Sequence, residues 1–185
     1  QDSSVSFSSK CFRRLMGRKY HKEDILKLDR VHYTLFPEKP NIIEKKEAIT
    51  LICYNNVGTG TSITKKILLG TVYSDAIDKK HGVLSLIQKV QCFIDDRKID
   101  YYIPHPRELS YQFDNVENIN SELIAEDIIL EFLKQGLRLE LYGFNTTAQI
   151  NLSNISFIEN YNLKSPLLKE CFNHHLGFSF NDVEL

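Results

Sequence analysis

Lys66-Ile67-Leu68-Leu69-Gly70, a short apolar run that ends in glycine, predicts a buried parallel strand. Helix and strand signals then alternate over 79–94, 99–103, 121–134, 137–143, 155–158 and 166–172. The first, third and last of these are the helices, and Ser121 is the expected N-cap of the third. This alternation predicts an α/β fold, a Rossmann-like parallel sheet with flanking helices.

The composition is that of a globular chain with a sizeable core: 185 residues, 42% hydrophobic and 25% charged. The net charge of -1 argues against a general nucleic-acid surface, which needs an excess of basic residues. Widely spaced cysteines without a CxxC pair favour a cytoplasmic protein over one with a zinc site or a disulfide framework. The chain starts with neither an initiator Met nor the features of a signal peptide, which suggests a piece of something longer.

The pattern changes along the chain and divides it into two predicted regions. Residues 1–62 are predicted to form a helical interdomain or dimerisation segment with one or two strands, one of them over 48–54. We expect a basic helix at 10–19 and a linker at 55–62. Residues 63–185 are predicted to form the Rossmann-like, nucleotide-binding domain.

The pentapeptide Pro104-His105-Pro106-Arg107-Glu108 directly follows the strand signal at 99–103. Each proline fixes its own φ and pushes the residue before it to extended geometry, so the backbone of His105 has little freedom. Such rigidity suits a titratable ring that points at a ligand from the carboxyl edge of the sheet. The alternative interpretation is a strand end with an exposed histidine.

Three loops that follow strands are expected to gather at this edge. They carry Asp75 and Asp78, then His105, then the run Asn145-Thr146-Thr147. The threonines are expected to open a helix, and a helix N-terminus with hydroxyls and free backbone N–H groups binds anions. A carboxylate base, an imidazole acid and a phosphate cradle together fit group transfer from a nucleotide donor. The structural alternative is that the two aspartates cap the helix that follows them.

Three segments carry a combined pattern: Ile67-Leu68-Leu69-Gly70-Thr71, Tyr102-Ile103-Pro104-His105-Pro106-Arg107-Glu108 and Ile124-Ala125-Glu126-Asp127-Ile128-Ile129-Leu130. His32-Tyr33-Thr34-Leu35-Phe36, followed by Asn41-Ile42-Ile43, precedes them. In this order and rough spacing, which hold from about Asp29 to the C-terminus, the chain resembles the bacterial lipooligosaccharide sialyltransferases of glycosyltransferase family 52.

The resemblance implies a two-domain GT-B enzyme, of which this chain is chiefly the C-terminal, donor-binding half. It implies metal-independent, inverting transfer of sialic acid from CMP-sialic acid, without a cofactor, to a terminal sugar such as galactose of lipooligosaccharide or capsule. The family's upstream acidic motif and acceptor-side domain are not in this sequence, so we expect donor binding with poor transfer. The alternatives are another nucleotide-sugar donor and a non-catalytic nucleotide-binding or interaction domain of the same fold.

The resemblance also implies roles for individual residues. Asp75 matches the general base of the family, and Asp78 is its rival because the loop is slightly longer here. His105 matches the histidine that meets the donor phosphate and assists its departure. Pro106 would frame the cytosine through its backbone, and Glu126 would accept hydrogen bonds from the ribose hydroxyls.

The remaining donor-site residues follow from the same matches. Asn145-Thr146-Thr147 replaces a Ser-rich phosphate-binding turn, so a hydroxyl is retained. The predicted donor-binding set is Gly70, Thr71, Pro104, His105, Pro106, Arg107, Glu126, Asn145, Thr146 and Thr147. No metal site is predicted. The structural alternatives are that Glu126 is a solvated or paired helix carboxylate, and that Arg107 pairs with Glu108.

The expected partners are the CMP-sialic acid donor, an oligosaccharide acceptor and a second copy of the chain. Dimers with exchanged segments occur in the family, which implies exchange of the helical region before residue 60. We expect no nucleic-acid partner, and a cytoplasmic location with peripheral contact at the inner membrane.

Overall fold

The computed structural model describes residues 15–17, 31–39, 44–49, 63–173, 178 and 180–185. The chain divides into two compact units, Gln1–Leu51 and Ile52–Leu185. In the first unit, strands β1 (His32–Thr34) and β2 (Lys46–Ala48) pair in parallel. The strand predicted over 48–54 overlaps β2 only at Ala48. The rest of that strand from residue 50 onward, the predicted linker and most of the predicted basic helix lie outside the described residues.

The described part of the second unit contains one parallel sheet of six strands. They are β3 (Thr64–Leu69), β4 (Tyr101–Ile103), β5 (Glu117–Asn118), β6 (Arg138–Gly143), β7 (Ile158–Lys164) and β8 (Asn181–Glu184). Their order across the sheet is β5-β4-β3-β6-β7-β8, and every neighbouring pair is parallel. This is the order of the doubly wound dinucleotide-binding fold, so the predicted α/β class with a parallel sheet is confirmed.

Helices flank this sheet on both faces. They are α1 (Tyr73–Ala76), α2 (Val83–Arg97), α3 (Ala125–Lys134) and α4 (Thr147–Asn151), with a 3-10 turn at Glu170–Phe172. Successive strand residues point to opposite faces, so Leu68 packs with the buried side of α2, whereas Ile67 and Leu69 pack with that of α3. The two apolar layers fix the carboxyl ends of the strands relative to the helices.

Several predicted boundaries shift in the structure. The helix predicted over 79–94 begins at Val83, and the short helix α1 precedes it. The helix predicted over 121–134 begins at Ala125, because the Ser121 hydroxyl accepts a hydrogen bond from the Leu123 N–H instead of capping the helix. The strand predicted over 155–158 begins at Ile158 and runs to Lys164.

The helix predicted over 166–172 is wrong: only the 3-10 turn forms there. The cause is a long-range backbone pairing. The Asp78 N–H donates to Leu167 O at 2.8 Å, and the Lys169 N–H donates to Ala76 O at 2.9 Å. These bonds flank an isolated antiparallel bridge between Ile77 and Leu168, which ties the segment after β7 to the loop that follows β3.

Candidate functional site

The carboxyl ends of β3, β4 and β6 lie at one edge of the sheet, and the strand order reverses between β3 and β6. Open α/β sheets bind ligands in the crevice at such a switch point. The loop with Asp75, the loop with His105 and the turn Asn145-Thr146-Thr147 all start from these three strands, as predicted. The fold thus brings the predicted loops to the edge where a ligand is expected.

Gly70 allows the end of β3 to approach the histidine loop closely. Its N–H donates to Ile103 O at 2.8 Å. A Cβ added at this position would lie 2.6 Å from the Tyr102 hydroxyl and 3.0 Å from the His105 backbone nitrogen. Any other residue would therefore push the histidine loop away from β3 or distort Tyr102.

His105 lies half-buried in a tight turn. Its Nδ1 accepts a hydrogen bond from the Arg107 N–H at 3.1 Å, and its carbonyl accepts one from the Glu108 N–H at 2.8 Å. In the neutral ring the proton is therefore on Nε2. Burial lowers the pKa of His105 and so does the Arg107 guanidinium, while the carboxylates of Asp75 and Glu108 oppose this shift. His105 is therefore mainly neutral at pH 7, with Nε2–H as a donor.

Asp75 faces the histidine loop from α1. Its Oδ2 lies 3.4 Å from Arg107 Nη2, and the two side chains are 61% and 70% exposed. The alternative pairing of Arg107 with Glu108 is therefore replaced by a contact across the site. Asp78 instead accepts from the Lys80 N–H at 3.1 Å, in the turn before α2. This geometry favours Asp75 over Asp78 as the carboxylate that faces His105, and its role as base stays a prediction.

Neither aspartate caps the following helix, because the N-cap of α2 is Gly82 and no side chain caps it. The structural alternative, that Asp75 or Asp78 caps α2, is thus wrong. A residue that the sequence analysis missed contacts the same loop: Lys169 Nζ donates to the Asp75 carbonyl. The two residues are 94 positions apart, and no local pattern in the sequence indicates their contact.

Two buried tyrosines connect α1 to β4 beneath these groups. The hydroxyls of Tyr73 and Tyr102 lie 3.1 Å apart, and both side chains are fully buried. The Tyr73 ring makes edge-to-face contacts with Tyr111, Phe113 and Phe144, at centroid distances of 5.7, 6.2 and 6.0 Å. Burial raises the pKa of Tyr102 to about 12 and that of Tyr73 well above its usual range. The pair is therefore protonated and acts as a fixed link between loops.

The turn after β6 is built around a buried amide. Asn145 has a φ of 57°, in the left-handed region, and Thr146 caps α4. Gln149 and Thr146 form a capping box, with Gln149 N to Thr146 Oγ1 at 3.3 Å and Thr146 N to Gln149 Oε1 at 3.1 Å. Gln149 Nε2 also donates to Leu141 O and Tyr161 O, at 3.3 and 2.9 Å. The predicted helix start at the threonines is confirmed, and Gln149 is the missed residue that holds it.

A cavity of about 590 Å³ opens between the histidine loop and the start of α3. Its lining is mainly apolar and consists of Ile103, Pro104, Pro106, Leu109, Ile119, Asn120, Ser121, Glu122, Leu123, Ile124, Ala125 and Ile128. Its volume is in the range of small-molecule and cofactor sites. The predicted prolines lie in this lining. Glu126 does not: its Oε1 accepts from Asn151 Nδ2 at 2.9 Å, across to α4.

Neither a metal site nor a membrane span is present in the part of the chain that the structure describes. There, no group of three or more His, Cys, Asp or Glu side chains is placed to hold a metal ion. Within the same residues, no helix has the length and apolar character needed to cross a membrane. The expectations of metal-independent chemistry and of peripheral membrane contact stay predictions.

Comparison with known proteins assigns the chain to a family. A sequence model described as "Glycosyltransferase family 52" matches residues 1–167. The match covers most of the chain, so this chain belongs to glycosyltransferase family 52. The resemblance inferred from the motifs is thereby confirmed.

Two curated relatives carry sialyltransferase names. The chain is 34% identical, over 99% of its length, to 59% of a "CMP-N-acetylneuraminate:beta-galactoside alpha-2,3-sialyltransferase" from Pasteurella multocida (strain Pm70). It is 30% identical, over 80% of its length, to 45% of an "N-acetyllactosaminide alpha-2,3-sialyltransferase" from Haemophilus influenzae (strain ATCC 51907 / DSM 11121 / KW20 / Rd). The chain spans about half the length of these relatives.

Proposed function

We propose that this chain is the donor-binding half of a GT-B sialyltransferase that uses CMP-sialic acid. The reaction transfers sialic acid, with inversion and without a metal, to a terminal galactose of bacterial lipooligosaccharide or capsule. The name of the Pasteurella multocida relative supports the donor and a β-galactoside acceptor, and the name of the Haemophilus influenzae relative supports sialyl transfer. The observation that carries the proposal is the placement of Asp75, Arg107 and His105 together at the switch point of the sheet.

In this proposal the nucleoside occupies the cavity beside the histidine loop. Pro104 and Pro106 line that cavity and would contact the cytosine, with the Pro106 backbone as its frame. Its mainly apolar surface suits a planar base. Glu126 would reach the ribose through the carboxylate oxygen that Asn151 does not bind, or by exchanging that hydrogen bond. The phosphate then lies between His105 and the turn at Asn145-Thr146-Thr147, with Gly70 and Thr71 at the end of β3 beside them.

The chemical step is a single displacement at the anomeric carbon of sialic acid. Asp75 takes the proton from the acceptor hydroxyl, whose oxygen forms the new bond to that carbon. The bond between the carbon and the phosphate oxygen breaks, and CMP leaves with the electron pair. His105 donates a hydrogen bond or a proton from Nε2 to the leaving phosphate. One displacement inverts the anomeric configuration.

The first test is a calorimetric titration of the chain with CMP, UMP and UDP. We expect CMP to bind most tightly of the three. His105→Ala should lower the CMP affinity at least tenfold, about 1.4 kcal/mol, because a hydrogen-bond donor to the phosphate is lost. His81→Ala is the matched control, since His81 is an exposed histidine in the turn before α2. Preference for UDP would indicate another sugar donor, and equal binding of all three nucleotides would contradict the proposal.

The second test measures transfer. A protein that spans the full length of the relatives should sialylate a galactose-terminated acceptor, and NMR of the product should show inversion at the anomeric carbon. Addition of a chelator should leave the rate unchanged if the reaction is metal-independent.

The proposed homodimer is tested separately, by light scattering. A result that shows only monomer over a wide concentration range would contradict it.

A further inference from the structure

We propose that Arg107 is an exchangeable counter-ion: it pairs with Asp75 while the donor is absent and moves to an anionic oxygen of the donor when the donor binds. The exchange frees the Asp75 carboxylate to accept the proton of the acceptor hydroxyl. This inference rests on the proposed function, which it deepens by assigning a binding role and a gating role to one side chain.

The contact between Arg107 and Asp75 has the features of a pair that breaks easily. Its 3.4 Å separation is long for a charge-assisted hydrogen bond, and both side chains are more than half exposed. Pairs of this kind contribute little to stability. Lys65 and Asp100 differ: they are 2.7 Å apart and partly buried, and the same carboxylate also accepts from the Lys66 N–H at 2.8 Å.

The backbone at Arg107 is held while its side chain is free to change partner. Its N–H donates a hydrogen bond to His105 Nδ1, and the residue between them, Pro106, has its own φ fixed by the ring. The guanidinium can therefore turn from Asp75 to a ligand without moving the imidazole. Its planar set of donors also suits an oxyanion better than an ammonium group does.

The exchange links proton transfer to the presence of the donor. In the donor-free chain the guanidinium faces Asp75 Oδ2, one of the two carboxylate oxygens that can accept the proton of an acceptor hydroxyl. When the donor anion takes the guanidinium, this oxygen is released beside the substrate. Asp75 thus loses its counter-ion only when an anion of the donor is in place.

Two groups of the donor offer the required anionic oxygen: the phosphate, and the carboxylate of sialic acid. CMP carries the first alone, whereas CMP-sialic acid carries both. Cytidine carries neither and therefore reports binding of the nucleoside alone. A comparison of these three compounds identifies which anion Arg107 takes.

The experiment is a calorimetric titration of the chain and its variants with the three compounds. We expect Arg107→Ala to lower the affinity for the compound that carries the relevant anion about tenfold or more. The affinity for cytidine should change less than about twofold. Asp75→Asn should raise the affinity for the same compound about threefold, because Arg107 then has no competing partner. This gain should disappear in the double variant Arg107→Ala, Asp75→Asn. Lys134→Ala is the control, since it removes an exposed cation from its ion pair with Glu131.

If Arg107→Ala loses affinity for CMP, the phosphate is the anion that Arg107 binds. If it loses affinity only for CMP-sialic acid, the carboxylate of sialic acid is that anion. Unchanged affinity of Arg107→Ala for both compounds would overturn the inference. So would an Asp75→Asn variant without a gain, or a gain that persists in the double variant, since Asp75 would then act on the donor directly. Failure of the proposed function looks different: the unaltered chain would bind neither CMP nor CMP-sialic acid more tightly than UMP.

Discussion

The two sides of the switch point use their polar groups in opposite ways. After β3 and β4, Asp75 and Arg107 are exposed and meet in a single long ion pair. After β6, Gln149 is fully buried and makes hydrogen bonds to Thr146 and to the carbonyls of two strands. The contrast indicates that the first side is arranged to change partners, whereas the second is a scaffold that holds the turn in place.

The largest expected effect is on the scaffold side. Gln149→Leu removes the amide that hydrogen-bonds to the Thr146 N–H and to the carbonyls of Leu141 and Tyr161, at a fully buried position. We expect a loss of about 3 kcal/mol or more in the free energy of unfolding, measured with urea. Thr146→Ala, which removes only the cap, should cost about 1 kcal/mol. Equal, small losses in both variants would refute the scaffold role of the amide.

The next effect is at Gly70, where the two loops after β3 and β4 approach each other. Gly70→Ala places a Cβ 2.6 Å from the Tyr102 hydroxyl, so we expect about 1–3 kcal/mol of destabilisation and a weaker CMP affinity. Adding Tyr102→Phe removes the clashing hydroxyl and should restore part of the stability. It should not restore the CMP affinity fully, since the new Cβ still lies 3.0 Å from the His105 nitrogen. No destabilisation at all would show that the close approach is unimportant.

A smaller effect concerns the pH dependence of CMP binding. Without ligand, burial and Arg107 keep the pKa of His105 below its usual value of about 6.5, with Asp75 and Glu108 opposing them. A bound phosphate raises this pKa, so binding takes up a proton. The resulting gain in affinity is fully present below the ligand-free pKa and is lost as pH rises through the bound-state pKa. We expect the affinity to fall several-fold, about 1 kcal/mol, between pH 6 and 8.

The control for this measurement is His105→Gln, which keeps a donor but does not titrate. The phosphate of CMP itself loses charge below about pH 6, which lowers the affinity at low pH and opposes the effect of His105. The informative quantity is therefore the CMP affinity of the unaltered chain divided by that of His105→Gln at each pH. Calorimetry in buffers of different ionisation enthalpy should also show proton uptake by the unaltered chain alone. Identical pH profiles for both proteins would exclude a titrating His105.

The same contrast explains which parts could be predicted from the sequence. The apolar run before Gly70 and the rigid loop around His105 are local signals, and both lie where the alternation of strands and helices placed them. Lys169 and Gln149 act through contacts that only the folded chain creates, so no periodicity indicated them. The start of β7 was misplaced for a related reason, because buried asparagines interrupt the expected apolar pattern of that strand.

The smallest expected effect is the stability of the exposed side. Arg107→Ala and Asp75→Asn each remove a long ion pair between exposed groups, so we expect the free energy of unfolding to change by less than about 1 kcal/mol. Lys65→Ala offers the comparison within the same domain: it breaks a shorter, partly buried pair and should cost more. Urea unfolding of the three variants measures the stability cost of losing each ion pair. If loss of the exposed pair proves as costly as loss of the Lys65–Asp100 pair, Arg107 is a structural partner of Asp75 and is not available to a ligand.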